Sequence, residues 1–370
     1  MPQTARRQRL SPEVFDLPVE KMRAGYYTDA YFNHSRTVLL RDGRRPQVVV
    51  QVFQKNHAYL GGMDEAIAIL ELCAHDNDGL EVRALYDGDR IEPWETVMTI
   101  AGDYTAFAHL ETAYLGTLAR RMLITTNVVH VLEAANGKPV IFMPARHDHH
   151  RVQTGDGYAA YVAGQVTGAE IGVTTDEQAS WWGGRGIGTV PHALIASYGG
   201  DTVLAARKFA AWAPPDMSVT VLVDFENDSV RTALAVADAL GERLWGVRLD
   251  TSEALVDRSL WQELGDFKPT GVNERLVRKV RGALDAAGHE RLRIVASGGF
   301  TVEKIRDFEA RGVPWTRTGS ARRSSAARTT SPQTSSSRTG SRPGSSAGTC
   351  ATTRASSSWD EPPRRRGPRR

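Results

Sequence analysis

Arg248 and Asp250 stand two residues apart at the end of an apolar run, 244–251 (LWGVRLDT). In an extended strand that spacing puts both side chains on one face, so two opposite charges can enter one site. Asp224 ends a similar run, 219–224 (VTVLVD), and Ser297-Gly298-Gly299 follows a third, 292–296 (LRIVA). Glycines let backbone N–H groups approach an anion, and a following helix N-terminus favours negative charge. That turn is therefore a phosphate seat or a plain strand-to-helix loop. Arg146 opens the cluster Arg146-His147-Asp148-His149-His150. The cluster reads as an anion ligand at Arg146, as a solvated loop, or as a metal site, although metal sites usually draw ligands from several elements. His192 follows Pro191 after a short strand and is either structural or reactive. Asp224 and Asp228 form a candidate pair for Mg²⁺, Asp228 being equally a helix N-cap. The loop 184–188 (GRGIG) resembles a nucleotide loop only weakly.

The elements that must position these residues follow a rhythm. Strand patterns at 139–143, 170–174, 219–224, 244–249 and 292–296 alternate with helical patterns at 156–164, 201–212, 228–240, 273–287 and 301–311. Strands alternating with helices argue βα units and a parallel sheet. Each chemical residue falls at a strand's C-terminal end, which is where a β/α barrel gathers its site. An open doubly wound sheet is compatible with the same pattern. Residues 1–135 lack this rhythm. They carry a strand at 48–53, an amphipathic helix at 63–74, two strands around Asp87-Gly88-Asp89, and a long helical pattern over 103–135. The segment 25–32 (GYYTDAYF) reads as a helix start capped by Thr28. The reading is an α+β domain over 1–135, an incomplete β/α barrel over 136–314, and a tail over 315–370.

No apolar run is long enough to span a membrane, and MPQTARRQRL is not followed by the apolar stretch of a secretory signal. Cys73 and Cys350 are the only cysteines, so no disulfide framework or zinc spacing exists. A cytoplasmic protein is the expectation. The net charge of +3 averages two unlike parts: the tail carries about +10 and the rest about −7. Residues 315–370 contain no Val, Ile, Leu, Met, Phe or Tyr, so nothing there offsets the cost of ordering the chain, and disorder is expected. A basic tail of this kind would bind polyanions with little selectivity.

Over residues 12–314 the ordered motifs YYTDAYF, HLET (109–112), ARH (145–147), GTVPH (188–192), VRLD (247–250) and SGGF (297–300) resemble the nicotinate phosphoribosyltransferases of the type II phosphoribosyltransferase group. The resemblance implies transfer of phosphoribosyl from phosphoribosyl pyrophosphate to nicotinate, with Mg²⁺, and with ATP hydrolysed through a phosphorylated histidine that falls on His192. It implies that Arg146 lies near the nicotinate carboxylate and phosphates. Arg248 and Asp250 would hold substrate and ribose, with Asp224 in the same cleft. Ser297, Gly298 and Gly299 would form the phosphate turn. Tyr27 and Asp29 would come from the partner subunit of a homodimer. Transfer to quinolinate or nicotinamide is the alternative within the fold. An inactive truncated relative with a polyanion-binding tail is the alternative outside it.

The chain departs from the family after Pro314, where relatives continue with a glycine-rich strand like VDAYGVGS and this chain reads WTRTGSA. Codons chosen for residues 315–322 and read one base out of frame encode that family strand. A one-base frameshift is therefore the expectation, and an intact frame in the DNA across Pro314 would refute it. The shift predicts a missing phosphate strand and an unpaired barrel edge.

Overall fold

The computed structural model describes residues 8–75, 79–215, 217–263, 265–320 and 333–338. The N-terminal region holds β1 (Gln47–Phe53), β2 (Ala58–Tyr59), β3 (Glu81–Ala84), β4 (Arg90–Ile91) and β5 (Thr96–Asp103). β1 reads QVVVQVF and buries Val48, Val50 and Val52, the period of two that a half-buried strand requires. It pairs antiparallel with β5, and β5 with β3. The helix Met63–Cys73 covers this sheet, packing Met63, Ala66, Ile69, Leu70 and Cys73 into one core with those valines.

The second region is a single parallel sheet. Its strands are β6 (Val140–Phe142), β7 (Ile171–Val173), β8 (Val219–Leu222), β9 (Leu244–Leu249), β10 (Arg293–Ala296) and β11 (Arg317–Ser320). Their order is β7-β6-β11-β10-β9-β8. The sheet curls into a partial barrel. Residues 187–190 bond to both of its edge strands: Ile187 N–H donates to Val173 O at 2.8 Å, and Val190 N–H to Thr220 O at 2.9 Å.

The helices outside the sheet start at side-chain caps that end the loops above the strands. Asp228, Asn273 and Thr301 accept from Arg231 N, Leu276 N and Lys304 N, satisfying otherwise orphaned donors. Helix Glu274–Ala286 buries only Leu276, Val277, Val280 and Leu284, one stripe of an otherwise charged surface.

The helix Glu111–Ala134 serves both regions. Tyr114, Leu118 and Met122 lie in the N-terminal core, whereas Ile124, Val128 and Leu132 lie in the core beneath the parallel sheet. The change of core thus falls inside one helix, upstream of residue 135.

Three expectations need correction. The ordered chain does not stop at Pro314. Trp315 is buried at 3% exposure, and Arg317–Ser320 forms β11 between β10 and β6, so that edge is paired. Trp315 supplies the apolar anchor, and the short side chains after it fit a crowded interior. Thr318 is fully buried and donates to Ala296 O at 2.9 Å, and a Cβ on Gly319 would collide with Met143. Second, Gln333–Arg338 forms β12 and pairs antiparallel with β1. A ladder of backbone bonds needs no apolar side chain, which is why composition missed it. The rest of the tail expected to be disordered lies outside the described residues. Third, Thr28 does not cap a helix. Its hydroxyl donates to His109 O at 2.6 Å, and Asp29 occupies the N-cap position of helix Ala30–Arg41.

Candidate functional site

A cavity of about 1020 Å³ opens within the parallel sheet. Arg146, His192, Arg248, Asp250, Ser297, Gly298 and Gly299 all line it. They come from the ends of β6, β9 and β10 and from the start of the short helix His192–Ser197.

Arg248 is the tie among these segments. Its Nε donates to Ser297 Oγ at 2.9 Å, Nη1 to Thr189 Oγ1 at 3.2 Å, and Nη2 to Asp250 Oδ2 at 3.0 Å. The alternation of β9 turns both charged side chains inward, and the planar fork of the guanidinium fixes three directions at once. Ser297 Oγ in turn donates to Asp250 Oδ1 at 2.8 Å. Asp250 is thus bonded through both oxygens and is held as an oriented carboxylate.

Asp224 sits one strand over, 9% exposed. Its Oδ1 lies 3.5 Å from His192 Nε2 and has no hydrogen-bond partner among the described residues. Burial pushes the carboxyl up to about 6, opposed by His192 and Arg248 and reinforced by the Asp250 charge. His192 is half exposed to the cavity. The arrangement is an imidazole presented to the cavity with a buried carboxylate behind it, the geometry that orients a reactive histidine.

Beyond β10, Gly298 (φ 82°) and Gly299 (φ 68°) are successive left-handed residues. That conformation turns consecutive N–H groups to one side and makes an anion-binding concavity. Thr301 then caps the helix Val302–Ala310.

The remaining expected residues divide. Arg146 and His147 line the cavity, but Asp148 faces Arg120 at 3.9 Å and His149 Nδ1 accepts from Arg151 N–H at 3.2 Å. The cluster therefore divides among the cavity, the helix Glu111–Ala134 and its own loop, and among the described residues no group of three or more side chains is placed to hold a metal ion. Asp228 caps its helix. Tyr27 and Asp29 do not line the cavity. Asp29 is bonded to Thr112, whose hydroxyl donates to Asp29 Oδ2 at 2.9 Å, and Tyr27 stands exposed beside Tyr26.

Thr189, Arg185 and Glu253 also line the cavity; Arg185 belongs to the loop 184–188 read from sequence as a weak nucleotide loop, and Glu253 was not singled out. Thr189 lies inside GTVPH, so its position was available, whereas Glu253 sits in an irregular loop with no periodicity to read.

Residues 29–122 match the family described as Quinolinate phosphoribosyl transferase, N-terminal domain. A nicotinate phosphoribosyltransferase of Mycobacterium tuberculosis is 27% identical over a 335-residue alignment that covers 80% of this chain and 67% of that protein. Among solved structures, a nicotinate-nucleotide pyrophosphorylase from Pyrococcus furiosus superposes with a TM-score of 0.72 at 27% identity, covering 87% of this chain and 77% of that one. Human nicotinic acid phosphoribosyltransferase shares the fold at a TM-score of 0.61 and 17% identity, over 84% of this chain and 74% of that chain.

Proposed function

Because the chain belongs to the type II phosphoribosyltransferase family, we propose that it joins nicotinate to phosphoribosyl pyrophosphate, releasing nicotinate mononucleotide and pyrophosphate, with ATP hydrolysed alongside. A phosphoribosyltransferase of NAD biosynthesis is the coarser statement, and it holds irrespective of the pyridine used. The observation that carries the finer reading is His192 facing the cavity with buried Asp224 behind it. A histidine at that rim can bind an anion in plain glycosyl transfer or accept a phosphoryl group. A phosphorylatable one supports ATP coupling.

In this reading the pyridine nitrogen attacks the anomeric carbon as the bond to pyrophosphate breaks. Positive charge develops on the ribose and negative charge on the leaving group. Asp250, oriented by Arg248 and Ser297, answers the first, with Asp224 adding to it. The turn Ser297–Gly299 seats the 5′-phosphate, and Arg146 takes the nicotinate carboxylate or a phosphate. Asp224 and Asp250 fit a magnesium ion that keeps most of its ligands from water and pyrophosphate, the usual mode for that ion. Bound there, it would neutralise the leaving group. Tyr27 and Asp29 stand outside this cavity and are assigned to a partner subunit's site in a homodimer, in the cytoplasm.

The test is product formation from nicotinate and phosphoribosyl pyrophosphate with and without ATP, with quinolinate and nicotinamide as rival substrates. ATP-stimulated product from nicotinate is expected. ATP-independent product from quinolinate, the acceptor named in the match over residues 29–122, would replace this reading with its sister activity. No product from any acceptor would favour an inactive relative.

A further inference from the structure

The loop after β9 reaches back over the glycine turn. Residues 252–255 form a tight turn, closed by Leu255 N–H to Ser252 O at 2.9 Å and tied to the returning chain by Gly271 N–H to Leu255 O at 2.8 Å. Glu253 stands in this turn, and its side chain lies against Gly299. A Cβ built on Gly299 would collide with Glu253 Oε1, with the carboxyl carbon directly behind it. Glu253 makes no side-chain hydrogen bond or ion pair among the described residues. The Lys304 ammonium, in the first turn of the following helix, acts on the Glu253 charge, and the left-handed pair Gly298–Gly299 leaves the space beside it open because neither residue carries a Cβ.

We infer that Glu253 is an internal occupant of the phosphate seat: its carboxylate rests over the Gly298–Gly299 concavity and leaves as a phosphate enters. The inference rests on the phosphate seat proposed above. The two anions cannot share the space, because both need the approach to Gly299 that only glycine leaves open. The side chain is held by the position of its turn and by the Lys304 charge, with no hydrogen bond of its own among the described residues to break, so its departure costs little. The turn must then shift with it, and phosphate binding is reported to the loop 251–257. Glu253 acts on the site through this exclusion and touches no reacting atom.

The test measures inorganic phosphate binding to the full chain by calorimetry at fixed ionic strength, for the wild type, Glu253→Ala, Glu253→Gln and Gly299→Ala. A seat that is free only a fifth to a tenth of the time loses apparent affinity by that fraction, so removing the occupant should tighten binding about five- to tenfold. Gly299→Ala should lose binding. Amide exchange at 252–257 should rise on adding phosphate to the wild type and be high without phosphate in Glu253→Ala. Tighter binding with no change in exchange would mean simple charge repulsion at the rim and would overturn the exclusion. Unchanged affinity in both Glu253 variants, with Gly299→Ala still losing phosphate, would overturn it while leaving the seat intact. No phosphate binding by any protein would overturn the seat itself and the inference with it.

Discussion

His192 and Asp224 are 3.5 Å apart, and the two side chains make separate predictions. His192→Ala should abolish stimulation by ATP while leaving slow transfer, measured as nicotinate mononucleotide with and without ATP. Equal stimulation in the variant would remove His192 from that role. Asp224 titrates at about 6, so it is ionised above that pH and neutral below it. Activity that needs its negative charge should fall as pH drops through 6, and Asp224→Asn should be slow throughout and lack that limb. Arg248→Lys keeps the charge but loses the fork that reaches Ser297, Thr189 and Asp250 together. A loss of roughly 1–3 kcal/mol in kcat/KM is expected, about 5- to 150-fold. The site residues were legible in sequence where a strand's alternation set their direction, as at Arg248 and Asp250. Glu253 was not, because an irregular loop gives no period from which to infer where a side chain points.

At the scale of elements, β11 is where composition misled. A strand of Arg, Thr, Gly and Ser has no apolar signature, yet its place between β10 and β6 asks only for small side chains and a full backbone ladder. Trp315, just before it, stacks beneath Lys138 at 4.5 Å and is nearly fully buried. Trp315→Ala should therefore cost about 3–5 kcal/mol of stability. Trp315→Phe should be much milder, since the indole N–H has no hydrogen-bond partner among the described residues to lose. Urea unfolding of the two variants separates a structural strand from a decorative one: equal, negligible losses would mean that β11 carries no load. The long helix Glu111–Ala134 was legible as helix, but its service to two cores was not. A sequence pattern records which face is apolar and not which neighbour covers it.

Across the whole molecule, acid should destabilise the fold through the N-terminal region. His109 is buried, and burial, then the nearby His75 charge, push its imidazole down to about 4 from 6.5. A lowered folded pKa means that the unfolded chain binds the proton first. The stability contributed is complete above pH 6.5 and is lost as pH falls from there towards 4. His109→Gln should flatten unfolding midpoints across that window relative to the wild type. Unchanged slopes would place the acid sensitivity elsewhere. The backbone carbonyl of His109, which holds Thr28, is kept in this variant, so the change reads the imidazole alone. The overall α/β architecture was readable from the strand–helix rhythm, because each unit is local. The pairing of strands far apart in sequence was not.

That distant pairing has a consequence for how the protein is made. Among the described residues β11 is the last strand of the parallel sheet to be synthesised, yet it lies in the sheet's middle, joining β6–β7 to β8–β10. Until it leaves the ribosome, the nascent chain holds two strand groups with open inner edges, each a template for pairing with another chain. A chain that does not yet carry β11 is therefore open to edge pairing, and a chaperone that shields β6 and β10 would act at that stage.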